Sequence, residues 1–110
     1  MLRNLLQRLS APSAIGVTVQ ALVRELLRRY PPAMASGEGR RLSAQAVANI
    51  LEAVIGKAVT KSQELELGVV GKARLTNDFK WALKDQGYPE PFIDLVTEAL
   101  VVYMSRKREG

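Results

Sequence analysis

From Val47 to Val59 the apolar residues fall three or four apart, at Val47, Ile50, Leu51, Val54, Ile55, Ala58 and Val59. One side of a helix over this stretch is therefore apolar without a break, and the chain can only fold by laying other apolar helix faces against it. Ser43 stands in front of Ala44 as an N-cap, since its hydroxyl can accept from the free amides of the first turn. Gly56 inside the stripe costs about 1 kcal/mol relative to alanine, which predicts a close helix crossing there.

Three further segments carry the same period. Ile15, Val19, Leu22, Val23, Leu26, Leu27 and Tyr30 predict a helix from Ser13 or Ala14 to Tyr30, ended by Pro31-Pro32. Residues 31–40 then read as loop, with Ser36, Gly37 and Gly39. Phe79, Ala82 and Leu83 predict a helix from Asn77 or Asp78 to Gln86, with Gly87 as its C′ residue and Pro89 beyond. The last helix is predicted from about Pro91 to Arg106, with Phe92, Ile93, Val96, Leu100 and Tyr103 inward. Leu95, Ala99, Val101 and Val102 make it apolar on more than one side, which marks a helix central to a core or buried in an interface.

Residues 60–76 support two readings. Thr60, Lys61, Ser62 and Gln63 fit a capping box and another helix. Leu65 and Leu67 alternate with Glu64 and Glu66, and Ala73 and Leu75 with Lys72 and Arg74, around Gly68 to Gly71. That alternation predicts a small β-hairpin at about 64–76, and the two glycines weigh against a helix. The stretch Leu42 to Leu75 resembles the middle of the histone-like HU/IHF family: a capped helix, two leucines two apart, a glycine-flanked turn, then Ala73 and Leu75. The chain departs from that family afterwards. Residues 77–105 read as helices where the family has basic β-arms, and the Gly-Phe-Gly turn is missing, so no residue role is carried over.

The expected fold is mostly α: one domain over residues 1–110, a compact bundle of four to five helices, with the hairpin at 64–76 as its only non-helical option. At the front, Leu2, Leu5, Leu6 and Leu9 form about two turns of amphipathic helix, which is marginal alone in water and needs a surface to dock on. Residues 1–12 are basic and free of acid, as transit peptides are. Beginning at Met1, they read instead as a native docking or oligomerisation arm of a cytoplasmic protein. No apolar run has the length of a membrane span, so no stable insertion is expected.

The 110 residues include no Cys and no His. This removes thiolate zinc sites, Cys nucleophiles and imidazole bases from consideration. Glu90, Asp94 and Glu98 lie four apart on one helix face, a pattern that more often complements the helix dipole and solvent than it binds a metal. Gly68 to Lys72 is not a phosphate loop, because the spacing is short and Ala73 follows the lysine. No catalytic residue, metal site or cofactor is expected.

The net charge of +5 is uneven. Residues 1–41 hold seven bases and two acids, residues 42–105 six bases and eight acids, and residues 106–110 three bases and one acid. The leading expectation is a non-enzymatic protein–protein interaction or assembly module in which Leu2, Leu5, Leu6 and Leu9 are buried against a second copy, as a homodimer, or against another protein partner. The alternative is nucleic-acid binding through Arg24, Arg28, Arg40 and Arg41, or through Lys72, Arg74, Lys80 and Lys84 around Trp81, where cations meet phosphates and the indole stacks on bases.

Overall fold

The computed structural model describes residues 13–39 and 41–107; the leucine arm at 1–12 and Arg40 lie outside the described residues. The fold is a helical bundle, with no strand among the described residues. Helix α1 (Ala14–Arg29) starts where the Ser13 hydroxyl accepts from the Gly16 amide at 2.9 Å. Pro31 and Pro32 cannot continue it, and a single turn, α2 (Pro32–Ala35), interrupts the expected loop. Helix α3 (Ala44–Glu64) is capped by Ser43, whose hydroxyl accepts from Ala46 at 3.1 Å. Helices α4 (Val69–Asp85) and α5 (Glu90–Lys107) complete the chain.

The hairpin expected at 64–76 is not formed. Helix α3 runs through the proposed capping box, with the Ser62 hydroxyl turned back to the Val59 carbonyl at 2.8 Å. It ends in a Schellman turn, in which Glu66 N–H donates to Gln63 O and Leu67 N–H to Ser62 O, both at 3.0 Å. Helix α4 begins directly after Gly68, eight residues before the expected start.

The physical reason is a ladder that the alternation concealed. Leu67, Gly71, Leu75, Phe79 and Leu83 are four apart, and the last three are at most 1% exposed. Burying three such side chains is worth roughly 1.5–3 kcal/mol each. Against this, only Gly71 lies inside the helix, since Gly68 is its N-cap, and one interior glycine costs about 1 kcal/mol. Gly71 also has local use: a Cβ there would meet the Leu67 side chain at 3.1 Å.

Helix α1 packs on α3 and α4, and α5 packs on the same two helices. The core lies between these four, with Leu22 and Leu26 from α1, Val54 and Ile55 from α3, Phe79 and Leu83 from α4, and Ile93, Val96 and Leu100 from α5. One inward assignment and one expected crossing differ. Tyr103 is exposed and Met104 is buried in its place. Gly56 marks no close crossing, because a Cβ there would meet nothing within 4 Å.

Candidate interaction surface

Nine large apolar side chains are exposed among the described residues, and seven belong to α4 and α5: Val69, Val70, Trp81, Leu95, Val101, Val102 and Tyr103. The short connection between these helices sets them antiparallel. Lys84 Nζ stands 3.1 Å from Glu90 Oε2 at one end of the pair, and Val69 shares a groove with Val101 and Ser105 at the other.

This groove holds about 500 Å³. Val69, Ala73, Val101 and Met104 are its apolar lining, with Lys72 and Lys80 from α4 and Glu98 from α5 among its polar groups. Helix α4 turns its apolar stripe toward α1 and α5 toward α3, and what remains outside includes the second apolar side that the α5 sequence carries. Val69 is 73% exposed, Leu95 56% and Val101 48%, so these are not residues grazing solvent at the edge of a core.

A second groove, between α1 and α3, is lined by Val17, Ala21, Ala53 and Gly56. Beside it lies a charged group that sequence reading missed. Glu25 is 8% exposed and receives a hydrogen bond from Lys57 Nζ at 2.6 Å. Arg28 stands 3.4 Å from its Oε1. Arg29 Nε stands 2.9 Å from its Oε2, off the line of a hydrogen bond. The Lys57 bond and the surrounding cations outweigh burial and hold the Glu25 carboxyl below the usual range. Its signal in the sequence was a carboxylate placed among Leu22, Leu26 and Thr18 on a helix face.

The basic residues proposed for nucleic acid are divided between elements. Arg24 and Arg28 are exposed on α1, and Arg41 is exposed just before α3. On α4, Lys72 and Lys80 meet at the groove. Trp81 is 54% exposed, with Lys84 Nζ 5.0 Å from the ring centroid. Lys84 also pairs with Glu90, and Arg74 stands 4.0 Å from Asp78, so part of this charge is already met. Leu2, Leu5, Leu6 and Leu9 lie outside the described residues, as does Arg40.

Among the described residues no three acidic side chains come together to hold a metal ion. No described helix is long and apolar enough to cross a membrane. Compared with known protein families, curated proteins and solved structures, the chain matches none of them.

Proposed function

We propose that this protein is a non-enzymatic interaction and assembly module that associates with itself, as a dimer. The observation that carries the reading is the grouping of seven of nine exposed large apolar side chains on α4 and α5. Two of them, Val69 and Val101, line the groove, and exposed apolar surface there is stabilised by covering, which a protein partner provides at the scale of two helices. The leucine arm adds a second apolar element that needs a surface. The reading takes the module to be cytoplasmic and to work without a cofactor.

Light scattering on the full chain tests it. The particle is expected to have twice the mass of the 12.1 kDa chain. Leu95→Asp with Val101→Asp should lower that mass, and Leu5→Asp with Leu6→Asp should weaken the dimer further if the arm contributes. A wild-type mass of one chain at every concentration would sink the reading.

One observation favours a second reading. Trp81 is exposed beside Lys84, with Arg74 and Lys80 on the same helix, an arrangement suited to stacking on bases next to phosphate. Trp81 is the single tryptophan. Its fluorescence, titrated with mixed-sequence DNA and RNA at two salt concentrations, reports such binding directly. Quenching that weakens steeply with salt supports this reading, and no quenching at low salt removes it.

A further inference from the structure

We infer that the groove face of α4 and α5 is covered by the same face of a second copy, with α4 of each copy lying on α5 of the other. The inference rests on the assembly reading above and names its surface and its symmetry.

Charge is distributed unequally around the apolar lining of the groove. The α4 side of the face carries Lys72 and Lys80, and the α5 side carries Asp94 and Glu98. None of the four has an ion pair within 4.0 Å among the described residues, although Lys84 and Glu90 on the same two helices do pair. The α4 wall of the groove is basic and the α5 wall acidic, and Val69, Ala73, Val101 and Met104 line the groove with them. A twofold dimer needs a surface complementary to itself, and this one is.

The levels of the charges also agree. The Lys84–Glu90 pair fixes the antiparallel register of the two helices at one end. One helical turn along each from that pair reaches Lys80 on α4 and Asp94 on α5, which are therefore level. A twofold axis running along the groove exchanges the two helices without shifting their height. It brings Lys80 of each copy to Asp94 of the other, with Lys72 and Glu98 within a turn of the same seam. Val69 and Val101, with Ala73 and Met104 beside them in the groove, then leave water together. The carboxylates spaced four apart in the sequence acquire a role as the acidic edge of this seam.

The test is charge reversal on each edge, followed by mixing. Lys72→Glu with Lys80→Glu makes both edges acidic, and Asp94→Lys with Glu98→Lys makes both basic. All four positions are at least partly exposed, and circular dichroism checks that each variant keeps its helices. Each variant alone should dimerise at least about a hundredfold more weakly than the wild type, because like charges then face each other across a desolvated seam. An equimolar mixture should recover a dimer containing one chain of each kind. The arm variant Leu5→Asp with Leu6→Asp should keep dimerising through this face.

A dimer indifferent to both reversals overturns the inference and leaves the assembly reading standing. So does a dimer lost in each variant but not restored by mixing, or lost in the arm variant alone. A wild-type protein that stays a single chain overturns both. If that single chain also binds nucleic acid, the α4 face belongs to that polyanion instead.

Discussion

The Tyr88 hydroxyl donates a hydrogen bond to the Tyr30 backbone carbonyl at 2.8 Å, joining residues 58 positions apart. Tyr30 is the last residue before Pro31-Pro32, so no backbone amide follows at once to serve the end of α1. Tyr88, in the connection between α4 and α5, supplies the donor. Phe92 completes the contact, its ring centroid 5.3 Å from that of Tyr30 and 5.2 Å from that of Tyr88. Tyr88→Phe keeps this packing and removes the donor. The expected cost is about 1 kcal/mol, or a fall in Tm of roughly 4–8 °C. Thermal unfolding of the two proteins side by side measures it.

The same hydroxyl predicts an alkaline limit. Burial, with a smaller contribution from Tyr30, raises the Tyr88 pKa above its ordinary 10.0. The folded state therefore holds a proton that the unfolded chain releases. Its stabilisation is complete below the unfolded value and is lost as pH rises above about 10 toward the folded one. Urea unfolding across that range should show a steeper fall for the wild type than for Tyr88→Phe. Parallel slopes would mean that Tyr88 is not the group responsible.

Glu25 predicts the opposite limit. Its carboxyl is held below the ordinary 4.5 by the Lys57 hydrogen bond first, with Lys57, Arg29 and Arg28 charges adding to it. The folded state prefers the ionised form, so this contribution is present above the unfolded value and is lost as pH falls through the folded one. Glu25→Gln should be less stable than the wild type at neutral pH. The gap should narrow as pH drops below 4.5. Lys57→Ala should cost about 1.5 kcal/mol, the scale of a hydrogen bond to a charged group.

Helices α3 and α4 end in the same turn with different residues at its left-handed position. Gly87 occupies it after α4 at φ 91°, and Glu66 after α3 at φ 53°. A side chain is strained there by about 1–2 kcal/mol, and glycine is not. Glu66→Gly should raise stability by about 1 kcal/mol, less whatever the freer unfolded chain takes back. A rise in the urea midpoint with an unchanged slope is the expected result.

Gly56 offers the reverse exchange. It lies in the interior of α3, exposed, with no atom within 4 Å of an added Cβ. Gly56→Ala should stabilise by about 0.8 kcal/mol through helix propensity alone. Gly71→Ala should gain less, because its Cβ must stand 3.1 Å from the Leu67 side chain. A larger gain at Gly71 would show that Leu67 moves aside freely.

Much of the bundle follows from local residue chemistry. The caps at Ser13 and Ser43, the stop at Pro31-Pro32 and the turn at Gly87 are local chemistry, and each functions as its residue type implies. The turn at Glu66 was hidden because the residue that adopts positive φ is one that rarely does. The glycines two and five positions later drew the turn toward themselves. Of the proposed surface residues, the charges and Trp81 were legible as types. Val69 and Val70 were not, since in a hairpin they would have been the turn.

The sequence alone determined that four long segments would be helical, through apolar spacing close to 3.6 residues and end signals that act within a few bonds of the backbone. It also determined that α5 would carry more apolar surface than one contact can cover. Only the tertiary structure decided residues 64–76, where a period of two and a spacing of four are written over the same leucines. Burial of Leu75, Phe79 and Leu83 against neighbouring helices selected the second. The tertiary structure likewise decided which apolar residues stay outside. A helix's pattern says how much of it is apolar, whereas the number of helices available to pack says how much of that can be covered.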